Sequence, residues 1–246
     1  MSVIDTIMQL ETAVWLNGQL DELPDRAKFR AASALRSLQW ANDIFEASMA
    51  IPACFCALHA TEEAVAAFIS CAKECGYVDA KMINIKDHAA KSTISLLVQK
   101  VSNILYPYEV AVGVNSKTDN IAVRYVLDGQ TYYNEASAKL FHFGDPEEKV
   151  PSDFYDALVV MFGDVAELEA AVKIGQEARN KIFYATSTGY PTGFDVPEDS
   201  LARECKISLG LIWAALDMKR NEGELIPFYE QALRTAAMVI AALKKK

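Results

Sequence analysis

The chain is poor in the features that mark specialised protein classes. Among its 246 residues are only three histidines, eight prolines and eleven glycines. No uncharged apolar stretch reaches the roughly 18 to 20 residues of a membrane helix; the longest candidate, Ala47 to Thr61, holds Pro52 and His59. The first residues, Met1-Ser2-Val3-Ile4-Asp5, lack the basic patch and small-residue cleavage site of a signal peptide. A cytoplasmic protein with no membrane partner is expected. Glycine-rich phosphate loops, Gly-x-Ser-x-Gly elbows and His-Glu-x-x-His pairs are absent, so none of these chemistries is nominated. Basic residues are outnumbered, 24 Lys+Arg against 33 Asp+Glu, for a net charge of −9. That balance excludes an indiscriminate nucleic-acid binder, because phosphate contacts need a cationic surface, but leaves room for a local basic groove. Arg26, Lys28, Arg30 and Arg36, and the terminal Lys244-Lys245-Lys246, read as a solvated helix face and a solvated tail.

Cysteine is also scarce. Five residues, an odd number, fit a reducing compartment. Cys54, Cys56, Cys71 and Cys75 lie close enough in sequence to raise a zinc site. At about 100° per helical residue, Cys71 and Cys75 are about 40° apart, whereas Cys54 and Cys56 diverge by about 160°. One helix cannot aim both of the latter at one ion. The cysteines read as small buried hydrophobes, and no metal or cofactor is expected.

What the chain does have is apolar content, 52%, with 23% charged. That combination excludes disorder and suffices for a packed core. No repeat, low-complexity tract or long linker divides it, so a single domain over 1–246 is expected, mainly α. Ser2 with Asp5 opens a first helix that Asn17-Gly18 stops. Pro24 opens a second, running to about Ser48, with Pro52 marking the break. A third runs from about Ala53 to Cys75 and ends at Gly76; a fourth, capped by Asn84 and Asp87, reaches about Leu105. Between residues 109 and 134 the period changes to two. Val110, Val112 and Val114 alternate, as do Ile121, Val123, Tyr125 and Leu127, and Asp128-Gly129 precedes Gln130-Thr131-Tyr132-Tyr133. This is a β-hairpin insertion. Helix resumes near Pro151, with a long segment from Asp164 to about Ala185. A Gly/Pro-rich loop, Thr186 to Pro197, leads to helices at about Glu198 to Arg220 and from Pro227.

Helical phase singles out charges in apolar stripes. In the third helix, Phe55, Leu58, Glu62, Val65, Ile69 and Ala72 recur at spacings of three and four, placing Glu62 mid-stripe. A buried carboxylate needs a cation or hydrogen-bond donors. Glu63, about 100° further round, faces solvent or a partner chain. In the fourth helix Ile94, Leu97, Val98, Val101, Ile104 and Leu105 form the apolar face. Asp87 lies at its edge, Lys91 just outside it, and His88 points further away. In the long helix, Val165, Leu168, Val172, Gly175, Arg179 and Ile182 put Arg179 in a core or interface position. A guanidinium there either pairs internally, with Glu62 among the candidates, or holds an anion. Lys91 is the other candidate partner for Glu62.

Three segments carry a resemblance. Ala57-Leu58-His59-Ala60-Thr61-Glu62-Glu63, Lys86-Asp87-His88-Ala89-Ala90-Lys91 and Arg179-Asn180-Lys181-Ile182-Phe183-Tyr184, followed by the Gly/Pro loop, resemble the HEPN superfamily of helical proteins. Within it they are similar to abortive-infection proteins of the AbiV type. The resemblance implies a HEPN-like helical bundle acting as a homodimer in phage defence or a toxin-type response, with RNA as substrate and an antitoxin or regulatory protein as a further partner. Members are commonly metal-independent ribonucleases with an Arg, a polar residue and a His four to six residues on. Carried over, the catalytic set is Arg179, Asn180 and Tyr184, supported by Glu62, Glu63, Asp87, His88 and Lys91. Tyr184 stands where the first allowed His would be, and Ala66 replaces an expected Lys. A phenol is a poor general base at neutral pH, although it can orient a phosphate or donate a proton. Two alternatives follow: a non-catalytic HEPN domain that binds a partner protein or nucleotide, and a bundle metal site built from His59, Glu62, Glu63, Asp87 and His88.

Overall fold

Helical segments of about two to seven turns make helix the dominant element. The computed structural model describes residues 2–115, 117–135, 137–142, 144, 151–184 and 198–244. Two short helices, α1 (Val3–Met8) and α2 (Glu11–Gly18), open the chain. Ser2 caps α1 by accepting a hydrogen bond from the Asp5 amide at 3.1 Å. The single opening helix expected is therefore broken, at Gln9 and Leu10; Leu10, with ψ 142°, is the N-cap of α2.

α3 (Asp25–Glu46) and α4 (Ala50–Glu74) form a long helical hairpin joined by three residues. Pro52 does not break the chain as anticipated. It lies in the first turn of α4, where a missing N–H has no helical partner to lose. Alanines dominate the buried positions of both helices: Ala27, Ala31, Ala34 and Ala41 in α3, and Ala53, Ala57, Ala60 and Ala64 in α4, all at 0% exposure. Small side chains let the two backbones approach closely. This shifts the buried stripe of α4 from the one expected: Val65, Ile69 and Ala72 are buried as anticipated, but Phe55 is 40% exposed. The helix is also long and apolar enough, by length and composition, to cross a membrane. Two thirds of that apolar window, 67%, is buried inside the protein's own core. Gly76, at φ +92°, ends it as expected.

α5 (His88–Leu105) starts at Asp87, whose carboxylate accepts from the Ala89 amide at 2.9 Å. The insertion follows as three antiparallel strands, β1 (Ala111–Asn115), β2 (Asn120–Leu127) and β3 (Gln130–Asn134), in the order β1-β2-β3. Asp128 and Gly129, both at positive φ, make the β2–β3 turn. The hairpin thus carries an extra strand. It is pinned to the helices by the Trp213 indole, which donates to the Gly113 carbonyl at 2.8 Å, and by Arg220, which donates to the Asp119 carbonyl at 3.2 Å.

The second half contributes α6 (Tyr155–Phe162), α7 (Val165–Phe183), α8 (Glu198–Arg220) and α9 (Pro227–Leu243). α8 packs on α4, and α5 packs on α4, α7 and α9. Leu168, Val172, Arg179 and Ile182 are buried as expected on α7, whereas Val165 and Gly175 face outward. Buried side chains from all nine helices and β2 join one hydrophobic cluster among the described residues. The Thr186–Pro197 loop, Lys245 and Lys246 lie outside those residues.

Candidate functional site

Glu62 sits in the middle of α4, where the first turns of α5 and the last turn of α7 converge on it. Its side chain is 12% exposed. Arg179 donates from Nε to Oε1 at 2.5 Å, and Lys91 donates from Nζ to Oε2 at 3.3 Å. The side chains of Arg179 and Lys91 are themselves only 9% and 10% exposed. His88 lies with Nδ1 3.1 Å from both carboxylate oxygens. Arg179 also donates through Nη1 to the Asn180 amide oxygen at 3.0 Å.

The electrostatics follow from that shell. Burial pushes the Glu62 carboxyl up; the Arg179 hydrogen bond and the charges of Lys91, Arg179 and His88 outweigh it and hold the group below the ordinary carboxylate range. Glu62 is thus an anion within a cationic shell. Two cations, Arg179 and Lys91, face this one carboxylate, with the His88 imidazole beside them. Half of the His88 side chain, 51%, is exposed, so the cluster reaches the surface through the imidazole.

Both expected partners of Glu62 are therefore present, and they occur together. His88 does not point away as anticipated; it turns back over α4 to Glu62. Glu63 is not free towards solvent either: Arg30 of α3 reaches both of its oxygens at 3.4 Å. Arg30 accordingly leaves the solvated basic face assigned to it, and Lys28 pairs with Asp21 at 2.5 Å. Asp87 is a helix cap that also pairs with Lys244 at 3.2 Å, so it supports α5 without touching Glu62. Tyr184 follows the end of α7 and is 58% exposed, and its amide donates to the Asn180 carbonyl at 2.9 Å.

As to metals, no group of three His, Cys, Asp or Glu side chains that could hold an ion occurs among the described residues. Around Glu62 the places a metal would take are filled by Lys91 and Arg179. Burial pushes the Cys54 thiol up to about 11 and the Cys205 thiol up to about 12, which suits packing more than reactivity.

Two buried carboxylates escaped the sequence reading. Glu204 of α8 accepts from the Thr61 hydroxyl at 2.8 Å and pairs with Arg203 at 3.2 Å. Asp217, at 0% exposure, accepts from the Ala138 amide and the Tyr229 hydroxyl, both at 2.8 Å, and from the Asn221 amide at 3.0 Å. Both acids lie among the charged residues towards the two ends of α8, Glu204 beside Arg203 and Lys206 and Asp217 just before Lys219, so neither stands out in the sequence.

Compared with known proteins, the chain matches no family model, no curated protein and no solved structure.

Proposed function

We propose that this chain is a HEPN-like, toxin-type endoribonuclease of phage defence that cleaves RNA as a cytoplasmic homodimer without a metal. The family part of this reading rests on the three quoted segments alone. The chemical part is carried by one observation: His88 and Arg179 meet on the same carboxylate, at 3.1 and 2.5 Å.

That arrangement answers the missing histidine near Arg179. A carboxylate against Nδ1 orients an imidazole and leaves the other ring nitrogen to act. In this mechanism His88 takes the proton of a ribose 2′-hydroxyl. The 2′-oxygen attacks phosphorus, the bond to the 5′-oxygen breaks, and a 2′,3′-cyclic phosphate results. Arg179 and Lys91 stabilise the charge that develops on the phosphoryl oxygens. Asn180 holds the guanidinium plane through Nη1, and Tyr184 returns a proton to the departing oxygen.

Purified protein incubated with total RNA, with and without EDTA, tests this. Metal-independent cleavage is expected, lost in Arg179→Ala and reduced on the order of a hundredfold or more in His88→Ala. A monomer in sedimentation at concentrations on the order of tens of micromolar would count against the dimer. The second reading, a non-catalytic HEPN domain that binds a partner protein or nucleotide, draws on the engagement of Arg179 Nε by Glu62. RNA left intact by the parent protein selects it.

A further inference from the structure

A cavity of about 430 Å³ is lined by residues of α1, α2, α5, β1, α8 and α9. None of the Glu62 cluster lines it. We infer that it binds a long unbranched aliphatic carboxylate, with the chain among these helices and the head group at Lys206.

Four features carry this. The size falls among ligand pockets, whereas packed interiors leave few voids larger than a water molecule. The walls are apolar, with Leu97, Val101, Leu209, Trp213, Phe228 and Leu233 among them, and Lys206 is the one charged side chain among the described lining residues. Lys206 is exposed and forms no ion pair among the described residues. A lone cation at the edge of an apolar chamber matches a lone anion at the end of an apolar chain.

Gly210 is the third feature. It lies inside α8, where glycine weakens a helix relative to alanine. Its backbone is not left-handed, and a Cβ there would meet nothing within 4 Å. Neither a turn nor a close contact requires glycine at this position. It lines the cavity, and the missing side chain preserves room in it. Fourth, one wall is long. The α5 wall runs from Ile94 to Leu105, roughly 16 Å at the helical rise per residue. Leu10 and Val112, both lining residues, are also solvent-exposed, giving the chamber an apolar rim through which a chain can enter.

Calorimetric titration of the full chain with myristate, below its micelle concentration, tests the assignment, with tetradecanol as the uncharged control of equal length. Saturable binding of one myristate per chain is expected. Gly210→Leu fills the chamber and should weaken binding by about tenfold or more while its circular dichroism stays that of the parent. If that variant does not fold, Val101→Trp makes the same test from the opposite wall. Lys206→Met should weaken myristate by roughly three- to fivefold, the scale of an exposed ion pair, and leave tetradecanol unchanged. The proposal is overturned if myristate shows no saturable binding, if the filled variant binds as the parent does, or if Lys206→Met weakens acid and alcohol equally.

Discussion

Glu62 and Asp217 are both carboxylates within packed helices, yet their surroundings are opposite. Glu62 meets a guanidinium, an ammonium and an imidazole. Asp217 is held chiefly by neutral donors: the Ala138 amide, the Tyr229 hydroxyl and the Asn221 amide. Neutral donors satisfy the lone pairs but do not balance the charge. Burial therefore pushes the Asp217 carboxyl up, and its hydrogen bonds together with the nearby Lys139 only partly reverse that, leaving the group above the ordinary range. The Tyr229 hydroxyl is itself pushed well up, by burial and by Asp217, so it remains a donor. Asp217 works as a clamp, drawing α8, α9 and the turn after the sheet together. The Glu62 cluster instead gathers three basic side chains, one of them a half-exposed imidazole, on one carboxylate. Burial alone does not set the direction in which a carboxylate's pKa moves; the charge of its neighbours does.

The sharpest way to break this comparison is to remove each acid. Asp217→Ala leaves two deeply buried donors unpaired and should destabilise the fold by about 4 kcal/mol in urea denaturation. Asp217→Asn should cost much less, because the amide oxygen still accepts a hydrogen bond and no charge is buried. If the asparagine variant falls as far as the alanine one, the clamp depends on charge and the contrast fails. Glu62→Ala comes next, at about 3 kcal/mol, since it strands Arg179 and Lys91. Glu62→Gln should cost less than that. Both Glu62 variants melting within about a degree of the parent would show that the cluster contributes nothing to the fold. A fold left intact with RNA cleavage lost would move Glu62 wholly into the site.

Glu62, Lys91 and Arg179 were legible because each interrupts or borders an apolar stripe at helical spacing. His88 and Glu63 were misjudged for a shared reason. Phase gives a direction about the residue's own axis but says nothing of how far a neighbouring helix extends. Arg30 reaches across from α3 to Glu63, and α5 crosses α4 where His88 can fold back. Phe55 was misplaced because large side chains dominated the pattern, while most of the fully buried positions of α4 are alanines. Asp217 sits just before Lys219 and Arg220 and reads as the polar end of α8. Only the fold shows Tyr229 and Ala138 arriving from elsewhere in the chain.

The smallest expected effect is the most diagnostic, because the two acids should respond to pH in opposite senses. Glu62 is depressed from its ordinary 4.5. Its stabilising contribution is complete above that value and is lost as pH falls through the lower folded value. Asp217 is raised from its ordinary 3.8. Its contribution is complete below that value and is lost as pH rises through the higher folded value, because the unfolded chain ionises more readily. The stability of the parent minus that of Glu62→Gln should therefore increase with pH across the acid range. The same difference for Asp217→Asn should decrease. Denaturation midpoints measured from about pH 3 to pH 7 give both slopes, and subtracting each variant from the parent cancels the acids they share. Slopes of the same sign would mean that the cations around Glu62 do not offset its burial, and the contrast between the two acids would lose its physical basis.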